Sequence, residues 1–320
     1  MPENYPSFIV DAFTKTRFAG NPAAVCLIPK VLKDEEYLKI AAEFNLSETA
    51  FPIPTDGKDF KDATEFSLRW FTPKMEYPLC GHATLATSHV LFYEIGNENP
   101  EIKFSTQSGI LTVRRGDLDT VEMNFPAYEL KSISYNGENK LGDLFSEVTG
   151  PDYLSELVKC VVPEDQIKVD SLFYNPKDKY FFIVLDPKTT LQEFASITPD
   201  ISRMLQISND SFIRTVTITV SPKNPIEQGF VTLENQPYDY ACRYFAPWCG
   251  VDEDPATGSA QCALAPFWSR ITGKKEFYAL QAFPGRGAQF QLKVEGDRVI
   301  IKGHSVTVMD GNIRLDQEPI

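Results

Sequence analysis

Residues 79–86 (LCGHATLA) place a histidine where a strand gives way to a helix. The preceding run, 67–73, is apolar and β-prone and ends at a proline, which cannot continue a strand ladder. The following run, 83–93, is rich in Ala and Leu, which predicts a buried helix. Because the start of a helix presents unpaired N–H groups and the positive end of a dipole, it can hold a carboxylate or a developing oxyanion. His82, beside the small Gly81, is therefore a candidate for substrate contact, with a hydrogen-bonded core imidazole as the structural alternative.

A similar arrangement occurs once more, far down the chain. Residues 242–247 (CRYFAP) share with residues 68–73 (LRWFTP) the order Arg, aromatic, Phe, small residue and Pro. Seven residues after the proline comes Cys80 in the first copy and Asp254 in the second. The shared order predicts two related halves, each offering a helix N-terminus, with a small anion held between them.

The second copy continues with residues 254–260 (DPATGSA), which lead into an apolar run. Asp254 can cap the helix, with Pro255 at the first helical position, or can lie in a site, and the two roles are compatible. Gly258 and Ser259 can bind an anion through their amides or can allow close helix packing. All three residues are therefore site candidates with a structural alternative.

Glu48 lies in residues 46–51 (LSETAF), where a polar triplet is flanked by apolar residues. A carboxylate can remove a proton from carbon only if its pKa is raised, and burial among apolar groups raises the pKa. Taken by its residues alone, the segment favours a capping or surface glutamate, and an acid/base role is the alternative.

Cys80 raises the question of thiol chemistry. Racemases that use thiols need two facing cysteines, one to remove a proton and one to return it, and a helix start suits such thiols. The matching position in the second copy holds Asp254, so a symmetric mechanism lacks its second thiol. Cys80 is interpreted as a small buried spacer, and Cys262 as a core residue.

The composition describes a globular protein with room for two domains: 320 residues, of which 42% are hydrophobic and 23% charged. A net charge of −13 argues against nucleic-acid binding. The six cysteines lack CxxC spacing and the three histidines lack metal-ligand spacing, so we expect reduced thiols and no metal site. With no apolar signal segment and no membrane-spanning run, we expect a cytoplasmic protein that does not engage membranes.

Hydrophobic patterning predicts a mixture of α and β elements. Helices are expected at 33–44, 141–148, 152–160 and near 201–205, and the strongest strands at 8–13, 23–28, 66–71, 110–114, 121–125, 180–185 and 213–220. The tail reads as a meander of short strands with Gly and Asp turns, at 289–294, 298–302, 304–308 and 312–315. Because helices do not regularly separate the strands, the pattern favours an α+β fold over a doubly wound parallel sheet.

Several of these segments together resemble the PhzF-like (phenazine biosynthesis-like) family. The matching pieces are DAF with FAGNPAAV (11–13 and 18–25), LSETAF (46–51), LRWFTP (68–73), CGHAT (80–84) and DPATGSA (254–260). The resemblance covers essentially the whole chain. It implies a fold similar to diaminopimelate epimerase: two topologically alike, barrel-like α/β domains, each around a central helix, with the active site in the cleft between them.

The resemblance also implies cofactor-independent proton transfer. Glu48 would be the acid/base residue, His82 and Asp254 would assist it, and Gly81, Gly258 and Ser259 would bind the carboxylate of a small substrate. An isomerase is therefore expected, and the alternatives are an amino-acid-type epimerase or racemase that uses Cys80 and a non-catalytic binding protein.

The expected domains are residues 1–125 and 126–304, with strands near 305–320 returning to the first. We expect a homodimer because similar proteins are often dimers and two-fold pairing is the commonest arrangement. Residues 127–168 resemble the family least and are candidates for setting substrate specificity.

Overall fold

The structure is a computed structural model, and it describes residues 2–134, 141–163, 167–208 and 212–316. The chain forms two compact units. The first comprises Met1–Phe125, Ala256–Ser259 and Ile300–Ile320, and the second comprises Pro126–Pro255 and Ala260–Val299. Parts of the predicted specificity segment, 135–140 and 164–166, lie outside the described residues.

Strands make up most of both units. In the described residues they are β1 (Glu3–Ala12), β2 (Asn21–Cys26), β3 (Glu48–Pro54), β4 (Glu65–Phe71), β5 (Glu76–Tyr77), β6 (Glu101–Thr106), β7 (Gly109–Arg115), β8 (Thr120–Pro126), β9 (Lys131–Ile133), β10 (Val169–Asn175), β11 (Tyr180–Leu185), β12 (Thr215–Val220), β13 (Tyr240–Ala246), β14 (Val251–Asp254), β15 (Glu276–Gln281), β16 (Ala288–Glu295) and β17 (Arg298–Leu315).

The helices are fewer and mostly short. They are α1 (Asp34–Phe44), α2 (Gly81–His89), α3 (Leu154–Val161), α4 (Leu191–Ser196), α5 (Ile201–Ile207) and α6 (Gly258–Thr272). A π-helical turn, Val90–Glu94, continues α2, and 3₁₀ turns cover Gly142–Leu144 and Pro247–Cys249. None of the helices in the described part of the chain is both long enough and apolar enough to cross a lipid bilayer.

Strand pairing in the first unit runs in a closed circle. In order around it, β17, β1, β2, β3, β4, β6, β7 and β8 are paired neighbours, and β8 pairs with β17 again. The β2–β3 and β4–β6 pairs are parallel, and the pairs from β17 to β2, β3–β4 and β6 to β8 are antiparallel. Every residue of α2 is buried, as expected of a helix that the strands enclose.

The second unit repeats this order of pairing. Strands β10 and β11 are antiparallel, β11 and β12 parallel, β12 and β13 antiparallel, β13 and β15 parallel, and β15 and β16 antiparallel. The same sequence of pairings joins β1, β2, β3, β4, β6 and β7 in the first unit. The two halves are therefore topologically alike, as the internal sequence repeat indicates.

Helix α1 packs on the first unit through an aromatic cluster. The Tyr37 ring lies 4.7 Å from that of Phe51 and 5.0 Å from that of Phe71, measured between centroids. The helix ends at Phe44 because Asn45 adopts a left-handed conformation, with φ of 49°. This sharp end turns the chain into β3, which begins at Glu48.

The strand predicted at 289–294 is observed as β16, but the predicted division of the rest of the tail into three short strands is wrong. From Arg298 to Leu315 the chain is a single strand of 18 residues, along which β1 pairs from Leu315 back to Ser305. Gly303 is not a turn residue: a Cβ there would lie 2.7 Å from Cδ1 of Phe13, so the strand needs a glycine to pass this ring. Long-range pairing overrides the local turn propensity of the glycines and aspartates.

Candidate active site

The imidazole of His82 lies at the centre of a buried polar cluster in the first unit. His82 is the second residue of α2 and is 3% exposed. Its Nε2 lies 3.2 Å from Ser47 Oγ and 3.3 Å from Glu48 Oε2. Its Nδ1 lies 3.2 Å from Asn21 Nδ2 and 3.4 Å from Cys80 Sγ. Elements far apart in sequence thus meet around one ring.

Asn21 determines which ring nitrogen of His82 carries the hydrogen. Its Nδ2 donates to the carbonyl of Ala256 at 3.1 Å, and its Oδ1 accepts from Ser47 Oγ at 3.3 Å, which sets the orientation of the amide. The amide nitrogen that faces Nδ1 of His82 is therefore a donor, so Nδ1 is the acceptor. The hydrogen consequently resides on Nε2, the nitrogen that faces Glu48.

Burial keeps the His82 ring neutral. Removal from water lowers the pKa of His82 from 6.5 to about 3, because the charged form is the one that loses hydration. The neutral ring is hydrogen-bonded through Nε2 to Ser47 Oγ at 3.2 Å, and Glu48 Oε2 lies beside the same nitrogen at 3.3 Å. Glu48 therefore has an uncharged ring beside it and not a cation.

Glu48 is placed by the start of β3, which runs parallel to β2 with Glu48 opposite Ala23. The side chain of Glu48 is 12% exposed. This burial contradicts the surface or capping glutamate that the local sequence favours. Residues from other elements enclose the segment, and local sequence carries no information about them.

Gly81 and Gly258, the first residues of α2 and α6, meet backbone to backbone. A Cβ on Gly81 would lie 2.9 Å from Gly258 Cα, and one on Gly258 would lie 3.1 Å from Gly81 Cα. Both residues belong to the first unit, as does Ser259, which is partly exposed. The first N–H groups of a helix lack intrahelical acceptors, so this pairing brings together two groups of donors suited to an anion.

Asp254 lies at the end of β14, in the second unit. The interpretation of Asp254 as a helix cap is wrong, because α6 begins four residues later, at Gly258. Its side chain's partnership with His82 stays a prediction.

The match of Cys80 with Asp254 is also wrong. Arg69 binds Glu76 at 2.7 Å and Arg243 binds Glu253 at 2.7 Å, so each copy joins its arginine to the following short strand. When the two copies are aligned on these ion pairs, Glu253 corresponds to Glu76, and Asp254 corresponds to Tyr77 and not to Cys80. Arg243 and Glu253 are 10 positions apart, against 7 for Arg69 and Glu76, because β14 is longer than β5 and its pairing with β13 shifts in register between Tyr244 and Ala246.

Thr257 is consequently the residue that matches Cys80, each directly preceding its helix. Thr257 is buried and carries no thiol. The conclusion that a symmetric two-thiol arrangement is missing stands, with the second position reassigned to Thr257. Cys80 is buried, as predicted, and no cysteine of the chain forms a disulfide.

Comparison with known proteins identifies the family. The sequence model of the family described as "Phenazine biosynthesis-like protein" matches residues 10–311. The chain belongs to this family. It is 37% identical to the mouse phenazine biosynthesis-like domain-containing protein 1 over 312 residues, which cover 96% of this chain and 98% of the mouse protein.

Two bacterial relatives carry the name isomerase. An uncharacterised isomerase of Pseudomonas aeruginosa is 36% identical over 308 residues, covering 96% of this chain and 98% of its own. One from Halalkalibacterium halodurans is 37% identical over 313 residues, covering 97% and 98%. This member of the phenazine biosynthesis-like family is thus an isomerase-type enzyme.

Solved structures confirm the fold class. A PhzF family protein of Enterococcus faecalis superposes with a TM-score of 0.76 at 30% identity, covering 97% of this chain and 99% of that one. A hydroxyproline epimerase from Agrobacterium vitis shares the fold alone, with a TM-score of 0.50 at 13% identity over 98% of this chain and 93% of that one. The fold is the α+β, diaminopimelate epimerase-like fold that the resemblance implies.

Asn21 and Ser47 are site residues that the sequence analysis missed. Asn21 lies in FAGNPAAV and Ser47 in LSETAF, two of the motifs that carry the family resemblance. Their places in these motifs could have marked both residues as candidates. Their contribution is to orient His82, which only the spatial arrangement shows.

Three residues of the cluster are also possible metal ligands. Glu48, Cys80 and His82 each offer a ligand atom, and these atoms lie within 4.8 Å of one another. Carboxylate, thiolate and imidazole suit Zn²⁺. Cys80 and His82 are two residues apart at the start of α2, whereas Glu48 comes from β3, so the spacing of histidines and cysteines alone could not reveal the set. The expectation of no metal stays a prediction.

The remaining candidates, two arginines and His89, form contacts within the fold. Arg69 binds Asp34 and Glu76, and Arg243 binds Glu253 together with the carbonyl of Ile197, so both arginines brace their own unit. The sequence left open whether these arginines bind a ligand or brace the fold. His89 contacts Thr307 Oγ1 at 3.1 Å, away from the ring of His82.

Proposed function

We propose that this protein is a cofactor-independent isomerase that moves a proton between carbons of a small carboxylate-bearing substrate, with Glu48 as acid and base. The observation that carries the proposal is the buried carboxylate of Glu48, 3.3 Å from a neutral imidazole. A carboxyl group that is largely kept from water and has an uncharged ring beside it is suited to general base catalysis.

The proposed reaction needs no oxidant or reductant. Glu48 accepts a proton as one C–H bond breaks, the electron pair passes into the conjugated system of the substrate, and the carboxylic acid returns the proton to a second carbon. The N–H groups at Gly81 and at Gly258 and Ser259 are proposed to bind the anionic oxygens. Asp254 is proposed to assist, as the family resemblance implies.

Hydrogen exchange tests this role before the natural substrate is known. The full chain is incubated with a panel of small unsaturated and hydroxylated carboxylic acids in D₂O, and mass spectrometry measures deuterium entering carbon-bound positions. Glu48→Gln keeps size and removes basicity, so exchange should fall by at least about 100-fold.

The matched control is Glu43→Gln, which removes an exposed carboxylate from α1. This variant should exchange at the rate of the unmodified protein. Far-UV circular dichroism and thermal unfolding establish that both variants are folded. If Glu48→Gln exchanges deuterium at the unmodified rate, Glu48 is not the acid/base residue.

An epimerase that uses Cys80 is the second candidate, favoured by the 3.4 Å distance from Cys80 Sγ to His82 Nδ1. Deuterium entry at a chiral α-carbon that is lost in Cys80→Ala and kept in Glu48→Gln would establish it. If the chain is a non-catalytic binding protein, no acid in the panel should exchange deuterium.

We further propose that the protein is cytoplasmic and forms a homodimer. Light scattering coupled to size-exclusion chromatography tests the dimer, because it measures the mass of the particle in solution.

A further inference from the structure

The second unit contains a cavity of about 400 Å³ beside the C-terminal half of α6. This volume is within the range of small-molecule sites. Its walls come from residues 127–130, Phe145, the segment 266–270 of α6, Lys275 and the turn around Gly296. None of these residues belongs to the Glu48 cluster, which lies in the first unit.

A proline inside α6 accounts for the position of the cavity. Pro266 has no N–H group to donate to the carbonyl of Cys262 one turn earlier. The backbone N–H of Tyr128 donates to that carbonyl instead, at 2.8 Å. This hydrogen bond ties residues 127–130 to the helix at its proline and forms one wall of the cavity.

The charged side chains around the cavity favour an anion. Arg270 and Lys275 both line it, and across the described ranges neither forms an ion pair. The guanidinium of Arg270 stacks on Phe145, with Cζ 4.8 Å from the ring centroid. Glu129 is the one carboxylate in the described lining, and all three charged residues are exposed to solvent. Two positive groups and one negative group thus line the cavity, in a chain whose net charge is −13.

Aromatic rings provide the apolar wall. The rings of Phe145 and Phe267 lie 5.3 Å apart between centroids and are inclined by 30°. Tyr128 adds a phenol whose pKa burial raises, so its hydroxyl remains a neutral hydrogen-bond donor at pH 7. An occupant with a flat apolar body and one anionic end matches both kinds of wall.

We infer that this cavity is a second ligand site, for a small aromatic carboxylate. The carboxylate lies against Arg270 and Lys275, and the ring lies against Phe145 and Phe267. This inference does not depend on the proposed function of the Glu48 cluster.

A ¹⁹F NMR titration of the full chain with 4-fluorobenzoate tests the site. Arg270→Gln should weaken binding by about tenfold, the loss expected for one hydrogen bond to a charged group. Lys39→Gln, an exposed lysine of α1, removes the same charge elsewhere and should leave the affinity unchanged. Equal weakening in Lys39→Gln would mean non-specific attraction and would overturn the inference.

One further measurement separates this site from the Glu48 cluster. Glu48→Gln should leave the signal of this site in place. If the probe signal is lost in Glu48→Gln and kept in Arg270→Gln, the probe binds only at the Glu48 cluster and the cavity is not a site.

Discussion

The contact between Gly81 and Gly258 predicts the effect of adding one methyl group. In Gly81→Ala the new Cβ would lie 2.9 Å from Gly258 Cα, an atom of the backbone that no rotamer change can move. Relief requires the two helix starts to separate by about 0.5 Å, to the 3.4 Å at which ordinary contact begins. Forcing an extra methyl group into such a contact costs about 1–3 kcal/mol.

Helix propensity opposes this cost. Alanine favours a helix over glycine by up to about 1 kcal/mol, so the free energy of unfolding of Gly81→Ala should fall by about 1–2 kcal/mol. Gly258→Ala should cost less, since its Cβ would lie 3.1 Å from Gly81 Cα. In the double variant the first methyl group has already separated the backbones, so the combined loss should be smaller than the two single losses together.

Guanidinium chloride unfolding of the full chain measures these free energies. Gly311→Ala is the matched control, because a Cβ at Gly311 would meet nothing within 4 Å and its φ is not positive. Its free energy of unfolding should change by less than about 0.5 kcal/mol. The reasoning is refuted if Gly81→Ala is as stable as Gly311→Ala, or if the two losses add without coupling.

Three other perturbations test the packing and charge of each unit. An unfolded imidazole binds a proton near pH 6.5, whereas His82 in the folded protein binds one only near pH 3, so the unfolded state binds more protons between these values. The free energy of unfolding should therefore fall by up to about 1.4 kcal/mol per pH unit as the pH drops through this window. In denaturant titrations, His82→Gln should lose this pH dependence. Arg243→Lys, at a buried site, should lower the free energy of unfolding by about 2–3 kcal/mol, because lysine cannot reproduce the bidentate hydrogen bonding to Glu253. Arg69→Lys, where the side chain is 29% exposed, should lower it by less than about 1 kcal/mol. Equal losses would contradict the role of burial. Gly303→Ala should cost about 1–3 kcal/mol in the same assay, since its Cβ would lie 2.7 Å from the Phe13 ring, and an unchanged stability would show that the ring yields freely.

The sequence predicted many elements correctly because the spacing of their hydrophobic residues follows the local geometry of a helix or a strand. Helix 33–44 is observed as Asp34–Phe44, and strand 180–185 as Tyr180–Leu185. Strands β10 and β15 were not predicted, although the first is largely buried. Each contains a short contiguous apolar run, 172–174 and 277–280, and such a run has no period that distinguishes a strand from a piece of helix.

The candidate site likewise combines features that neighbouring residues determine with features that only the folded chain determines. The position of His82 at a helix start follows from neighbouring residues, whereas the burial of Glu48 and the amide of Asn21 depend on elements that fold against them. Only the family resemblance made Glu48 the candidate acid/base residue, because residues 46–51 taken alone favour a surface or capping glutamate. Counting along the repeat misaligned Asp254 because the arginine and the matching glutamate are 10 positions apart in the second copy and 7 in the first.

Sequence alone determined the repeat of the two halves, the helix that begins at Gly81 and the apolar character of the strands, because these depend on residues close together in the chain. Tertiary structure decided the tautomer of His82, the meeting of Gly81 with Gly258 and the continuity of β17. Each of these depends on an atom contributed by a segment far away in sequence. A hydrogen-bond partner or a steric contact of that kind exists only after the chain has folded.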